Sequence, residues 1–238
     1  MIPTVFIRIL VCTGLWVLLT WPARGTMWAP MDIISQGIND YLMKLCTGCD
    51  VVLREMEERA RRENFPIVGP MVGRILYQLA KISRARKVLD LGSGFGYSAY
   101  WFGLALGERD ALTLTECARE NIRLARDYFE RGRIRCELHF HQGDALKILE
   151  KLKGPFDIIF NDIDKDQYPK VFRMVAPRLR QGGLFICDNV LWHGQVVEPN
   201  PDPSTRGIVE HNRLIFESGT FFSSIIPVRD GLSVSVKE

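Results

Sequence analysis

Val88-Leu-Asp90-Leu-Gly92-Ser-Gly94-Phe-Gly96-Tyr-Ser98 sets an acid inside an apolar run and follows it with three alternating glycines. Glycines at a strand-to-helix turn let the backbone approach a ligand, and the helix starting there offers unpaired N–H groups to a negative group. The dinucleotide fingerprint G-x-G-x-x-G would need glycine at 97, and 97 is Tyr97. The pattern is instead D-x-G-x-G-x-G. Asp90 would repel a pyrophosphate but can hold an ammonium group, directly or through a water. The expected ligand is therefore zwitterionic and amino-acid-like, the alternative being a glycine turn with no ligand. Glu116 lies 26 residues after Asp90, at the end of the next apolar run, where a carboxylate can take both ribose hydroxyls of a nucleoside. Its competing role is a solvated helix-cap acid. Asp144, in Gly143-Asp144-Ala145, can reach an adenine amino group, cap a helix, or do both.

A second set of residues suits a different chemistry. Asn161-Asp162-Ile163-Asp164-Lys165-Asp166 and Asp188-Asn189 each close an apolar run. Two carboxylates and an amide oxygen converging at neighbouring strand ends make a hard-cation site suited to Mg²⁺ with several waters. An EF-hand reading of the first cluster fails, because its sixth position is Gln167 and its twelfth Arg173. A solvated acidic loop is the alternative. Lys165 stands three residues after Asp162. Beside a divalent cation the ammonium form is disfavoured, which suits this side chain to general-base work. His139 and His141 alternate in one run with no third ligand nearby and read as structural. His193 follows Asp188-Asn189 and is a candidate substrate contact.

These residues need a scaffold that brings strand ends together. Short apolar runs at Lys87–Leu91, Ala111–Thr115, Glu137–His141, Phe156–Asn161 and Leu184–Cys187 read as strands. Between them Tyr97–Leu106, Ala118–Arg131, Ala145–Leu152 and Gln167–Leu179 read as helices. Strands alternating with helices at this spacing predict a doubly wound α/β domain with a parallel sheet and right-handed crossovers. Ligands in such folds bind beyond the carboxyl ends of the strands, where both residue sets fall. Upstream, Val52, Leu53, Met56 and Ala60 form a helical stripe, Pro66 and Pro70 break it, and a second helix runs from Met71 to about Lys81. Downstream, a proline-rich loop at Glu198–Thr205 leads to a helix near Ile208–Ser218. Phe221–Pro227 and Leu232–Val236 then form an antiparallel hairpin turning at Arg229-Asp230-Gly231.

The 238 residues, 47% hydrophobic and 25% charged, suit one globular domain over 31–238 and exclude a disordered chain, a disulfide miniprotein and a multi-span membrane protein. Arg8 and Arg24 are the only charges in residues 1–31, so the remainder balances 29 basic against 28 acidic residues. That neutrality argues against a nucleic-acid partner. Ile9–Ala23 is an uncharged, mostly apolar run, leaving residues 1–30 as a signal, a membrane anchor or an over-long start. The six cysteines are scattered and read mainly as small buried hydrophobes. Cys46-Thr-Gly-Cys49 lacks a partner pair for zinc and reads as a helix end terminated by Gly48.

Together Asp90–Ser98, Glu116, Phe156–Tyr168 (FDIIFNDIDKDQY) and Cys187–Val196 (CDNVLWHGQV) resemble the cation-dependent O-methyltransferases, the catechol and caffeoyl-CoA type enzymes that use S-adenosylmethionine. The resemblance covers roughly residues 32–238, including Val68-Gly69 and Pro227-Val-Arg-Asp-Gly. It implies a Rossmann-like class I methyltransferase sheet, mostly parallel with the C-terminal hairpin antiparallel. It implies that Asp162, Asp188 and Asn189 bind Mg²⁺ or another divalent cation and that Lys165 is the general base. Val68, Gly92, Ser98, Glu116 and Asp144 would hold the cofactor, Ser98 on the methionine carboxylate, with Asp90, Gly94 and Asp162 lining the same site. The acceptor implied is a phenolic, catechol-like vicinal diol, methylated on one hydroxyl. The resemblance also implies a cytoplasmic homodimer, with membrane contact through residues 1–30 in those members that carry an anchor. Gly94 departs from the family, which more often has a bulkier residue there, and Trp192–Ser204 matches nothing that fixes a substrate. The alternatives are a cofactor-binding protein of the same fold without catechol methylation, and a nicotinamide-dependent dehydrogenase.

Overall fold

The computed structural model describes residues 34–46 and 50–238, together with the backbone of strands β1 (Val5–Leu10) and β2 (Trp16–Trp21). The chain divides into two units, Met1–Met31 and Asp32–Glu238. In the first, β1 and β2 pair antiparallel from Val5 opposite Trp21 to Leu10 opposite Trp16. The signal, anchor and over-long-start readings fall mostly on residues outside those described, as does Gly48. Among the described residues no helix is long and apolar enough to cross a membrane.

The second unit opens with helices α1 (Gln36–Leu45), α2 (Val51–Glu63) and α3 (Gly69–Ile82). Strands and helices then alternate: β3 (Lys87–Leu91), α4 (Tyr97–Ala105), β4 (Ala111–Glu116), α5 (Arg119–Arg131), β5 (Glu137–Gln142), α6 (Ala145–Lys151), β6 (Phe156–Asn161), α7 (Tyr168–Val175) and β7 (Leu179–Cys187). Helix α8 (Pro203–Glu217) and strands β8 (Phe221–Ile226) and β9 (Leu232–Lys237) complete it. The sheet has seven strands in the order β5-β4-β3-β6-β7-β9-β8. Pairings among β3 to β7 are parallel, and β9 lies antiparallel to both β7 and β8. This is the doubly wound, mostly parallel α/β sheet expected.

Side-chain alternation along the central strands sends residues to opposite faces. Ile158 and Phe160 join Leu76, Phe102 and Phe129 in one core, whereas Ile159 joins Leu149, Val171 and Ile215 in the other. Helices α2 to α5 thus cover one face and α6 to α8 the other. That explains why the central strands read as nearly unbroken apolar runs. Cys136 and Cys187 are buried, Cys117 is exposed, and all three are free thiols.

Three boundaries differ from expectation for identifiable reasons. The helix anticipated over Gln167–Leu179 is α7 flanked by 3₁₀ turns at Lys165–Gln167 and Ala176–Arg178. Pro177 cannot donate the N–H that would continue the helix. Strand β7 starts five residues before Leu184, and its register against β6 shifts between Phe156 and Ile158. Helix α8 begins at Pro203, ahead of the expected Ile208, because Asp202 caps it, accepting from the Thr205 N–H at 2.7 Å, with Pro203 at the first helical position.

At the amino ends of β3 and β6, Asp157 binds neighbouring segments together. Its Oδ2 accepts from the backbone N–H groups of Arg86 and Lys87 at 2.8 and 2.7 Å, and its Oδ1 pairs with Arg180. Burial pushes the Asp157 carboxyl up, but Arg180 and the two N–H groups outweigh it and hold the group below its ordinary value. Asp157→Ala is expected to destabilise the fold by about 1.5–3 kcal/mol at pH 7. A carboxyl depressed by folding stabilises above its unfolded pKa and loses that contribution as pH falls through the folded value. Urea midpoints for variant and parent should therefore converge below pH ~4. A gap that stays constant into acid would show that the carboxylate charge is not what holds these segments.

Candidate active site

A cavity of about 730 Å³ opens at the carboxyl ends of β3, β4, β6 and β7, within the size range of small-molecule sites. One side is the turn between β3 and α4. Gly92 has φ +82°, and a Cβ there would lie 2.6 Å from the Asp162 carbonyl, so only glycine lets the β3 and β6 loops meet. The Gly92 N–H is held by Thr115, 3.2 Å from both the carbonyl and the side-chain oxygen. Phe65 covers this turn, its ring 4.8 Å from that of Phe95. The segment carrying it, up to Val68, lines the cavity from the α2–α3 connection.

Of the residues expected to hold a cofactor, Val68, Gly92, Gly94, Ser98, Glu116, Asp144 and Asp162 line the cavity. Asp90 does not. It is fully buried behind the wall, and the cavity-lining Ser98 hydroxyl donates to its Oδ2 at 2.7 Å. Burial pushes the Asp90 carboxyl up to about 7 against the hydrogen bonds from Ser98 and Ser93. Its Oδ1 has no hydrogen-bond partner, so any reach toward a ligand ammonium runs through Ser98 or a water. Glu116 accepts from the Ala118 N–H at 2.7 Å, and Asp144 caps α6 through the Lys147 N–H at 2.8 Å. Asp144 thus combines a helix cap with a place on the cavity wall, whereas Glu116 lines the cavity without capping α5.

The opposite side gathers the second residue set. Lys165, only 9% exposed, places Nζ 2.6 Å from Asp162 Oδ1 and 3.1 Å from the Ile163 carbonyl. The rings of Tyr168 and Trp192 lie 5.1 and 5.8 Å from that ammonium. Asp188 is buried at the end of β7, and its Oδ1 has no partner. Burial, then the nearby Asp162 charge, raises its carboxyl well above the usual range. Asn189 donates from Nδ2 to Asp230 Oδ2 at 3.2 Å, which leaves its own oxygen free. An orphaned buried carboxylate oxygen, a second carboxylate and an amide oxygen are donors of the kind a hard divalent cation takes. Asp162, Asp188 and Asn189 therefore fit such an ion. Among the described residues no group of three His, Cys, Asp or Glu is gathered for a metal, the third donor here being an amide.

Several contributors were not singled out in the sequence. The Tyr168 hydroxyl donates to the Asp188 carbonyl at 2.9 Å, with the Asn161 carbonyl 3.3 Å away, tying the ends of β6 and β7. Arg229, in the β8–β9 turn, donates to the Ile67 carbonyl at 2.7 Å. Under the lysine turn, Gly207 of α8 leaves no room for a side chain, since a Cβ would lie 2.4 Å from the Lys165 carbonyl. His193, the candidate substrate contact, lies on the cavity wall, whereas His139 is exposed on β5, 3.4 Å from Glu137.

Sheet order, glycine turn and cavity define a class I methyltransferase architecture. The sequence profile of the O-methyltransferase family matches residues 48–238, and the chain belongs to that family. It is 30% identical over 212 residues to the Catechol O-methyltransferase of Niastella koreensis, covering 86% of this chain and 94% of that protein. It is 30% identical over 175 residues to Caffeoyl-CoA O-methyltransferase 1 of Eucalyptus globulus, covering 68% and 71%. With a mouse relative included, the chain spans 64–94% of these relatives' own lengths. The O-methyltransferase from Bacillus cereus in complex with SAH superposes with a TM-score of 0.77 at 27% identity, over 85% of this chain and 97% of that one.

Proposed function

We propose that this chain transfers the methyl group of S-adenosylmethionine to one hydroxyl of a small phenolic vicinal diol. The observation that carries the reading is the single cavity shared by the glycine turn, Glu116 and Asp144 on one side and Lys165, Asp162, Asp188 and Asn189 on the other. Ser98 and the turn amides would receive the amino-acid end of the cofactor, Glu116 its ribose hydroxyls and Asp144 its adenine. Asp162, Asp188 and Asn189 would hold a divalent cation. When bound, that ion would orient both oxygens of the diol and make one of them easier to deprotonate. Lys165 Nζ takes the departing proton, and the rings of Tyr168 and Trp192 limit water around it. The cofactor, when bound, would supply the methyl group to the deprotonated oxygen, its sulfur leaving with the bonding electrons as the methyl ether forms. Holding the two reactants near attack distance contributes up to about 7–11 kcal/mol in favourable cases.

Calorimetric titration with S-adenosylmethionine, followed by transfer assays on a panel of catechols with and without Mg²⁺, tests this reading. Binding with Mg²⁺-dependent transfer is the expected result. Binding with no transfer to any diol would reduce the reading to cofactor binding, and no binding at all would overturn the assignment of the glycine turn. The same reading puts the chain in the cytosol as a homodimer. Mapping the mature N-terminus and measuring mass in solution check those two points.

A further inference from the structure

We infer that Asp230 is a positioning residue: its carboxylate turns the Asn189 amide so that the oxygen faces the cation site, and pins the Trp192–His193 loop beside it. The inference rests on reading Asn189 as a cation ligand and adds the group that orients it. Asp230 lies in the β8–β9 turn, 41 residues from Asn189 in sequence, and is buried. Oδ2 accepts from Asn189 Nδ2 at 3.2 Å, and Oδ1 accepts from the His193 backbone N–H. The Asp230 carbonyl accepts from the Leu191 N–H at 2.9 Å, and that of Gly231 from Val190 at 3.1 Å.

An amide side chain has one accepting end and one donating end. A carboxylate accepts only, so Asp230 selects the donating end and sends Oδ1 the other way. A hard cation needs that oxygen, and the reversed amide would offer it N–H groups instead. The backbone beside Asp230 also needs holding. Asn189, Trp192 and His193 have φ of 57°, 45° and 53°. Such conformations persist in bulky residues only where neighbours over-determine them. Asp230 contacts both ends of this stretch, at Asn189 and at His193.

Titration of the full chain with Mn²⁺, read by calorimetry, tests the role without using activity. Asp230→Asn is expected to weaken Mn²⁺ binding by about 10–100-fold. Amide hydrogen exchange over residues 189–194 should accelerate, while the near-ultraviolet circular dichroism spectrum is kept. The single accepting oxygen of the new amide cannot serve both His193 and Asn189, and its NH₂ group opposes that of Asn189. The double variant Asn189→Asp with Asp230→Asn reverses donor and acceptor: the new amide donates to the new carboxylate and still accepts from His193. It should return amide exchange over residues 189–194 most of the way to the parent rate, a readout that the extra carboxylate charge at the cation site does not itself restore. If Asp230→Asn does not fold, Asp230→Glu takes its place, with a loss in the same direction. Parent-like Mn²⁺ affinity in the single variant, or a double variant whose amides exchange as fast as those of the single one, would overturn the inference alone. A parent chain that binds no Mn²⁺ would overturn both it and the cation reading of Asn189.

Discussion

Asp188→Asn should leave the cation-free chain at least as stable as the parent while removing cation-dependent stabilisation and lowering methyl transfer about 10²–10⁴-fold. The two halves of this result have one cause. In the absence of a cation Asp188 is a buried carboxylate with an unpartnered oxygen and a second acid close by. An amide of the same shape removes the charge and with it a burial cost of about 1–3 kcal/mol. The same change removes one of two carboxylates from the proposed ion site, where cations contribute several kcal/mol to the transition state and each 1.36 kcal/mol is tenfold in rate. Melting temperatures with and without Mg²⁺, set beside kcat, separate the two effects. A variant that melts lower than the parent without Mg²⁺ would mean that Asp188 is a structural acid. One that keeps full Mg²⁺ stimulation would remove it from the ligand set.

Lys165→Met is expected to reduce kcat by about 10²–10⁴-fold, the range for loss of a positioned acid–base group. The affinity for S-adenosylmethionine should change by less than about twofold, because Lys165 faces Asp162, Tyr168 and Trp192 rather than the glycine turn. Methionine keeps most of the apolar stem, so the packing under the two rings survives the change. Lys165→Arg should not restore activity, since a guanidinium stays charged and cannot accept the proton. A parallel fall in kcat and cofactor affinity would assign Lys165 to structure, and rescue by arginine would exclude a role as base.

Much of the frame was legible in the sequence for physical reasons. Strands β3 and β6 are central and covered on both faces, so they read as apolar runs with matching ends, Lys87–Leu91 and Phe156–Asn161. The glycine turn was legible because a close approach such as that of Gly92 to the Asp162 carbonyl tolerates no other residue. The acids Asp162 and Asp188 stand at strand ends, where the topology of the sheet alone makes them neighbours. Asp230 was not legible. Asp-Gly after an apolar run reads as a turn, and nothing local says that the turn meets Asn189 41 residues upstream. Arg229 meets Ile67 across 162 residues for the same reason, once β9 has inserted between β7 and β8. Asp90 was legible as an acid in the strand, but its burial behind Ser98 depends on α4 packing over it.

The bare backbone contact at Gly207 bears on how such a site can be re-engineered. With no side chain between them, α8 and the Lys165 turn pack backbone against backbone, so a change in the first turns of that helix bears directly on the lysine turn. Exchanging the loop ahead of α8 therefore leaves this contact alone only upstream of Asp202, whose carboxylate fixes where the helix begins. A library that varies residues 198–201 changes the loop ahead of α8 while the start of that helix stays in place. One that runs on through Gly207 alters that loop and the Lys165 turn together, and the two effects cannot be told apart.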